Sequence, residues 1–320
     1  MLLRVTHRTQ YDYLPAVENA QHLAYLSPRQ TANQHVVSHQ LLIDPQPSHQ
    51  SSACDVFGNT RQFFALQSAH LRLTVTALSE VVTRNGQTAE STLAWEAVRE
   101  TFSYSSAKQF SSAAEFVFAS PYVPHHADFA DYARPSFRTG IPLIEASRDL
   151  MQRIHHDFVY ESQSTEVNTP VRDALHARRG VCQDFAHILV ACLRAMEVPA
   201  RYVSGYLLTH PAPGKPRLVG SDASHAWASV FLPDLAAGNT ESGWYDLDPT
   251  NNRDGWGTPG EDYVVLAVGR DFGDVSPLRG VIHGGASHIL TVGVTVDPVG
   301  EKSEGESEAP ISYQTQQSQQ

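Results

Sequence analysis

The chain has 320 residues, more than the roughly 100–200 of one domain, so its length predicts two domains or one domain with a large extension. A composition of 41% hydrophobic and 18% charged residues excludes disorder throughout. The net charge is −11, from 23 basic and 34 acidic residues. Because no excess of Lys and Arg can replace phosphate counterions, this charge argues against general binding to nucleic acid or to anionic membranes.

The three cysteines, Cys54, Cys182 and Cys192, are too few for a disulfide framework and contain no CxxC pair typical of zinc sites. They are interpreted as reduced thiols. The N-terminus MLLRVTHRTQYDYLP lacks the apolar run of a signal peptide, and no segment approaches the roughly 18–20 apolar residues of a membrane span. We therefore expect a cytosolic protein.

The first 87 residues predict an antiparallel β-domain. Alternating runs over 2–13, 35–43 and 71–82 are separated by Pro, Asn, Ser and Gly. Residues 88–140 are mixed in pattern, with short helices and a connection rich in Ser, Pro and His.

Three helices are predicted in the middle of the chain. The first has an apolar face from Leu143 to Phe158, with Pro142 in its first turn. A second, short helix follows the Thr169-Pro170 start signal and stops at Gly180. The third has an apolar stripe over 185–196 and is limited by Pro199.

Beyond Pro199 the pattern predicts strands over 201–209, 225–232, 243–248, 263–268 and 289–296. Residues 298–320 contain four Glu, one Lys and a Gln/Ser-rich end with almost no apolar content, so this tail is predicted to be disordered.

Cys182 is the most informative cysteine because it precedes the apolar stripe of the third helix. At a helix N-terminus the free N–H groups and the dipole favour a thiolate. Gly180 would allow another chain to approach the sulfur closely. Asp184 opposes the thiolate, but two residues along a helix turn its side chain about 200° away, so we expect a secondary effect. Cys192 lies on the apolar stripe as a packed thiol, and Cys54 has no base nearby.

A nucleophilic thiol needs a base and a group that orients the base. If 225–232 and 243–248 pair as an antiparallel hairpin, one register sets His225 opposite Asp248 and Trp227 opposite Asp246. A slip of two residues would exchange the orienting carboxylate. Geometry alone therefore leaves Asp246 and Asp248 both open.

Three blocks of the chain resemble the core of the transglutaminase-like superfamily, the papain-related fold of transglutaminases, peptide N-glycanases and bacterial members regarded as cysteine proteases. They are GVCQDFAHILVACLRAMEVPARYVSGYL (180–207), SHAWASVFLP (224–233) and GWYDLDPTNN (243–252). The segments RVTHRTQYDYLPAVENAQHLAYLSPR and DVFGNTRQFF resemble the β-rich N-terminal region of the bacterial members, and PLRGVIHGGASHILTVGVTVDP resembles their closing strands.

The resemblance implies an α+β fold in which a nucleophile helix packs on an antiparallel sheet. It also implies that Cys182 is the nucleophile, His225 the base and Asp248, rather than Asp246, the orienting residue. The implied organisation is an N-terminal β-rich domain (1–110), a connector (111–140), a catalytic core with closing strands (141–297) and the tail (298–320).

The resemblance is incomplete at the oxyanion hole. Animal transglutaminases use an upstream tryptophan there, whereas the one tryptophan before Cys182 is Trp95, outside the matched core. The backbone N–H of Cys182 is therefore expected to serve, with Tyr160 or Gln183 as candidates for the second donor.

The predicted activity is acyl transfer from an amide of a protein or peptide through a thioester, most simply hydrolysis. The alternatives are a transglutaminase and an inactive binding module, and the N-terminal domain could recruit substrate or mediate self-association. No cofactor is implied, and no oxygen-rich loop suggests calcium. Adjacent histidines point different ways, so no metal site is expected at the pairs His125-His126 and His155-His156, or at His283 with His288.

Overall fold

The structure is a computed structural model that describes residues 1–87, 90–103, 111–161, 165, 168–209, 224–236, 240–285, 287–300 and 314–316. Of residues 240 and 314–316 it describes the backbone. Two large antiparallel sheets form its framework, and helices pack against the second sheet. The architecture is α+β with a β-rich N-terminal region, as the sequence predicts.

The first sheet has eight strands in the described residues: five from the predicted N-terminal β-domain and three from the C-terminal part of the chain. Strands and helices are numbered in chain order. The strands of this sheet are β1 (Leu2–Ala24), β2 (Gln34–Asp44), β3 (His49–Cys54), β4 (Thr60–Leu66), β5 (His70–Thr83), β13 (Leu278–Gly284), β14 (Ser287–Pro298) and β15 (Gln314–Gln316).

Strand β1 organises this sheet because it changes partners along its length. Its first half pairs with β5 and β14, and its second half pairs with β4 and β13. Leu3 and Val5 alternate with the exposed Arg4, which is the period of two expected of a strand with one buried face. The pairing with β5 shifts between Asp12 and Val17, around Pro15, whose nitrogen cannot donate to a ladder.

The closing strands lie in the sheet of the N-terminal region. Both β13 and β14 pair with β1, whereas the resemblance groups them with the catalytic core. Such a pairing spans most of the chain, so no local pattern in the sequence reveals it. The domain boundaries stay a prediction, as does disorder of the tail, which falls mostly outside the described residues; within them, the backbone of β15 pairs with β14.

The second sheet has the strand order β11-β10-β9-β8-β12. Its strands are β8 (Ala200–Leu207), β9 (Ser224–Phe231), β10 (Trp244–Asp248), β11 (Arg253–Trp256) and β12 (Tyr263–Gly269). Four of the five agree with the predicted strands. The sheet curls until its two edges meet, and the Arg253 guanidinium donates to both carboxylate oxygens of Asp262 at 2.6 and 2.7 Å.

Six α-helices and one small parallel strand pair accompany the two sheets in the described residues. The helices are α1 (Trp95–Phe102), α2 (Ala127–Ala133), α3 (Leu143–Asp157), α4 (Val171–Ala177), α5 (Cys182–Ala195) and α6 (Phe272–Val275), and the pair is β6 (Val159–Tyr160) with β7 (Arg179–Gly180). None of the described helices is long and apolar enough to cross a membrane.

The predicted helices α3, α4 and α5 are confirmed, with one correction at the end of α4. Arg178, and not Gly180, ends that helix in the left-handed conformation, with φ at 54°. Gly180 is extended and pairs with Tyr160 in the β6–β7 ladder. The chain thus leaves α4, makes three extended residues over 179–181 and turns into α5.

Helix α5 is buried on the sheet, which fixes the position of its first residue. Its apolar stripe packs against Ala228, Val230 and Leu247 of the second sheet, and Phe185 and Ile188 are 2% exposed or less. Burial of large aliphatic and aromatic side chains contributes about 1.5–3 kcal/mol each, so this contact holds the helix firmly.

Two buried amide side chains join the two sheets at the edge strand β12. Gln34 donates to the carbonyl of Val265 and accepts from its N–H, both at 2.8 Å. Asn59 makes the same pair of bonds with Val268, at 2.7 and 2.8 Å. These side chains replace a neighbouring strand, since an unpaired sheet edge buried beneath other elements would leave backbone groups without partners.

Three buried histidines are held in the neutral form by burial, which lowers the pKa of His7 and His22 to about 4 and that of His187 to about 3. In His187, Nε2 accepts a hydrogen bond from the backbone N–H of Phe272 at 3.1 Å, which requires the neutral ring.

Replacing Gln34 by Ala tests whether its side chain stabilises the edge strand β12. The substitution leaves the buried N–H and C=O of Val265 without these partners, so we expect the free energy of unfolding in urea to fall by about 2–3 kcal/mol. The matched control is Gln50→Ala in the exposed strand β3, which should change it by less than about 0.5 kcal/mol. Equal effects of the two substitutions would contradict this role of Gln34.

The buried histidines predict a loss of stability in acid. Between a folded pKa of about 3 for His187 and the ordinary value of 6.5, the unfolded chain binds more protons, so stability falls as the pH is lowered through this window. His187→Gln, whose amide oxygen can still accept from Phe272, should remove about 2 kcal/mol of the difference in unfolding free energy between pH 7 and pH 5. The exposed His49→Gln should leave that difference unchanged.

Candidate active site

Cys182 is the first residue of α5, as predicted, and is half-buried. At this position the N–H groups of the first turn have no acceptor within the helix, and the dipole is positive. Both effects favour a thiolate over a thiol.

Asp184 fixes the start of this helix. One of its carboxylate oxygens accepts from the backbone N–H of Val181 at 2.8 Å and from the hydroxyl of Thr165 at 2.6 Å. The side chain is 3% exposed, and burial raises its pKa in spite of these two hydrogen bonds. The Asp184 carboxylate therefore binds the backbone of the residue that precedes Cys182, and its secondary effect on the thiol stays a prediction.

The role expected of Gly180 needs correction. A Cβ atom at this position would lie 2.6 Å from a carboxylate oxygen of Asp184 and 2.8 Å from its Cβ. The space beside Gly180 is thus occupied by the carboxylate that anchors the helix, and is not open to an approaching chain.

His225, near the start of β9, links the other two predicted residues. Its Nε2 lies 2.7 Å from Oδ2 of Asp248, and the ring also makes a hydrogen bond with Cys182. Since Nε2 is used by Asp248, Nδ1 is the ring nitrogen left for the thiol. Burial alone would lower the pKa of His225, but the charge of Asp248 and the hydrogen bonds to Asp248 and Cys182 raise it. The buried Asp248 carboxylate therefore stabilises the imidazolium form of His225.

The contact between His225 and Asp248 is diagonal across two strands, so the predicted register is wrong by two residues. The structure pairs Leu247 with Ala228 and Asp246 with Ser229, which places Asp248 beside Trp227. Short turns over Pro233–Leu235 and Thr240–Gly243 set this register, and the sequence pattern of the loop does not reveal them. A histidine side chain is long enough to bridge the diagonal.

Asp248 is fully buried and accepts five hydrogen bonds. Its Oδ1 accepts from the backbone N–H groups of Thr250 and Asn251 at 2.9 and 3.3 Å. Its Oδ2 accepts from His225, from the Asn251 amide at 2.8 Å and from the Tyr263 hydroxyl at 2.7 Å. Burial would raise the pKa of this carboxyl, but the charge of His225 and these hydrogen bonds lower it.

Asp246, the alternative orienting residue, bonds to side chains other than His225. It accepts a short hydrogen bond from the Ser229 hydroxyl and one from the Trp227 side chain, and the charge of Arg201 acts on it. Burial raises its pKa to about 6 in spite of that charge. Of the two carboxylates, Asp248 is the one in contact with His225 and the one that stays ionised more readily.

Aromatic rings fix the plane of the imidazole. The indole of Trp227 stacks on His225 with ring centres 6.0 Å apart, and the ring of Tyr263 lies 5.9 Å away. The sequence pattern does not identify Tyr263 or Asn251 as site residues. Asn251 directly follows the Asp-Pro-Thr block, so its position in the sequence could have indicated that it belongs to the site. Tyr263 comes from a distant strand, and nothing in the sequence indicates its contact with Asp248.

The other candidates occupy different surroundings. Cys192 is fully buried, which raises the pKa of its thiol, and Cys54 is exposed at the end of β3. The indole of Trp95 donates to the carbonyl of Arg138 in the core. Tyr160 is half-exposed; burial and the nearby Cys182 raise its pKa, so it lies close to the sulfur. Gln183 directly follows the nucleophile in α5.

Within the described part of the chain, no three His, Cys, Asp or Glu side chains form a group that could hold a metal ion. His126 caps α2 by accepting from the N–H of Asp128, His155 contacts the carbonyls of Pro249 and Thr250, and His283 pairs with Glu18.

Comparisons with known proteins identify the family of this chain. The family model of the bacterial transglutaminase-like N-terminal region matches residues 3–82, and that of the transglutaminase-like superfamily matches residues 130–249, which include Cys182, His225 and Asp248. The chain is 42% identical over 306 residues to an uncharacterized protein of Mycobacterium tuberculosis, which covers 92% of each chain.

Two further similarities are to an enzyme and to a solved structure. A protein-glutamine gamma-glutamyltransferase of Pseudomonas aeruginosa is 33% identical over 132 residues, 40% of this chain and 18% of that protein. The crystal structure of "a Putative Cysteine Protease from Cytophaga hutchinsonii" superposes with a TM-score of 0.68 over 98% of this chain and 94% of the other. At 20% identity this likeness shows the fold.

Substituting each aspartate in turn distinguishes their roles. Asp248→Asn keeps the volume but removes the charge that holds the His225 imidazolium, so alkylation of Cys182 by iodoacetamide near neutral pH should slow by roughly a hundredfold or more. Asp246→Asn is the matched control and should leave the rate within about twofold. If Asp246→Asn slowed the alkylation more than Asp248→Asn, Asp246 would be the orienting residue.

Proposed function

Because the chain belongs to the transglutaminase-like superfamily, we propose that it is a cysteine enzyme that transfers acyl groups from amide bonds through a thioester. The observation that carries this proposal is the position of His225 between Cys182 and Asp248, with hydrogen bonds to both. This is the arrangement that activates a thiol and supplies an acid for the leaving group.

The proposed reaction has two halves. The Cys182 sulfur attacks the carbonyl carbon of a carboxamide or peptide bond, and the C–N bond breaks as the His225 imidazolium donates its proton to the leaving amine. A water molecule then gives a proton to His225 and attacks the thioester, and the C–S bond breaks, which releases the acid and restores the thiolate–imidazolium pair. Asp248 stays ionised throughout and stabilises the imidazolium each time it forms.

The developing negative charge on the carbonyl oxygen requires hydrogen-bond donors. The backbone N–H of Cys182 belongs to the first turn of α5 and is the donor we assign first. Tyr160 is our second donor, since it pairs with Gly180, two residues before Cys182.

We propose water as the usual acceptor of the acyl group. Val159 and Tyr160, which run beside the start of α5, are 65% and 53% exposed, so this side of the thiol is open to solvent. Transfer to an amine requires walls that keep water away from the thioester. Transamidation is the second candidate, favoured by the similarity to the Pseudomonas aeruginosa protein-glutamine gamma-glutamyltransferase.

A protein or peptide is the proposed substrate class, and the N-terminal sheet is positioned to help bind it. Leu3 and Val5 of β1 belong to the same apolar cluster as Tyr206 and Ala226, and Cys182 packs against that cluster. The sheet therefore borders the site. A cytosolic location also belongs to the proposal, supported by three free cysteines. An inactive binding module is less consistent with a fully assembled Cys, His and Asp.

The test is to incubate the protein with glutamine-containing peptides and a primary amine, and to identify products by mass spectrometry. We expect free acid to exceed the amine adduct, and Cys182→Ala to abolish both. Cys54→Ala, which removes an exposed sulfur at the end of β3, should retain full activity.

Other outcomes would change the proposal in defined ways. An excess of the amine adduct would identify a transamidase. Peptide binding that survives Cys182→Ala, without turnover or a thioester in the wild type, would identify a binding module.

A further inference from the structure

We propose that Tyr263 and Asn251 are positioning residues that hold the Asp248 carboxylate, and through it the His225 ring, in the orientation needed by Cys182. The inference rests on the proposed function and extends the site beyond the three residues that the sequence identifies. Neither residue is expected to touch the substrate.

Tyr263 is the more informative of the two because it comes from the opposite edge of the sheet. Its hydroxyl donates to Oδ2 of Asp248 at 2.7 Å, the same oxygen that binds His225. The residue is 1% exposed, and its ring packs edge-on against Trp227 at 5.4 Å. A buried tyrosine hydroxyl generally has a partner, and here the partner is a buried carboxylate.

The curl of the sheet brings Tyr263 to this position. The guanidinium of Arg253, in β11, lies 4.8 Å from the centre of the Tyr263 ring and is paired with Asp262, the residue before Tyr263. The two edges of the sheet are therefore clipped together next to the tyrosine. The clip fixes the ring without contacting Cys182 or His225.

Asn251 holds the same oxygen from the other direction. Its side-chain amide nitrogen lies 2.8 Å from Oδ2 of Asp248 and 3.3 Å from Nε2 of His225. Three donors thus converge on Oδ2, which leaves one orientation for the carboxylate plane. Because His225 donates to this oxygen through Nε2, a fixed carboxylate also fixes the direction in which Nδ1 points.

Removing the Tyr263 hydroxyl has two expected effects. The carboxylate gains freedom, so Nδ1 is less often aligned with the thiol and alkylation of Cys182 slows. One hydrogen bond that keeps Asp248 ionised is also lost, so the site takes up its proton at higher pH. A substitution that only loosened the fold would lower stability without moving this pH dependence.

The experiment measures the rate of iodoacetamide alkylation of each cysteine between about pH 5 and 9, by mass spectrometry of the folded protein. The variant is Tyr263→Phe, which retains the ring. The matched control is Tyr245→Phe, another buried tyrosine, whose hydroxyl bonds to Arg148 and Asp254. Exposed Cys54 reports the rate of an ordinary thiol in every sample.

We expect Tyr263→Phe to slow the alkylation of Cys182 roughly tenfold. The fall of this rate on the acid side should move to higher pH by about 0.5–1 unit. Asn251→Ala should shift the profile in the same direction, and Tyr245→Phe should leave it unchanged. A Tyr263→Phe profile identical to the wild type would overturn the inference. The proposed function itself would fail if Cys182 of the wild type reacted no faster than Cys54 and if His225→Ala did not slow the reaction of Cys182. The two failures are therefore distinguishable.

Discussion

The hydrogen bond between His225 and Asp248 is the contact on which the rest of the site depends. A fully buried carboxylate is strongly destabilising unless it is paired and hydrogen-bonded. The fold meets this requirement with the turn after β10, which supplies two backbone N–H groups and the Asn251 amide, and with Tyr263 from β12. The curl of the second sheet therefore has a chemical consequence, because it keeps a buried negative charge beside the imidazole.

The thiol is positioned by a separate local arrangement. The two residues of β7 and the extended Val181 lead into α5, and Asp184 reaches back to bind the N–H of Val181. A side chain at Gly180 would collide with that carboxylate. With α5 buried along its length, the first residue of the helix has little freedom, and Cys182 stays within hydrogen-bonding distance of His225. The helix and the sheet thus bring their reactive groups together through rigid elements, as precise catalysis requires.

Local patterns in the sequence predict much of this fold. The apolar stripe of α5 and the alternation in β1 follow from helical and strand periodicity, and they place Cys182 and the N-terminal sheet correctly. Non-local features escape such patterns. The register of β9 and β10 depends on turns in the intervening loop, the pairing of β13 and β14 with β1 spans most of the chain, and Tyr263 reaches Asp248 only because the sheet curls. Each is decided by packing between distant segments.

The central claim is that His225, held by Asp248, keeps Cys182 as a thiolate. The most direct measurement is the far-ultraviolet thiolate absorbance of the wild type minus that of Cys182→Ser, titrated against pH and repeated in the His225→Ala background. We predict a thiolate signal from Cys182 well below the roughly pH 8.5 at which an ordinary cysteine ionises, and its loss from this region in His225→Ala. A signal that appears near the ordinary value in both backgrounds would contradict the account.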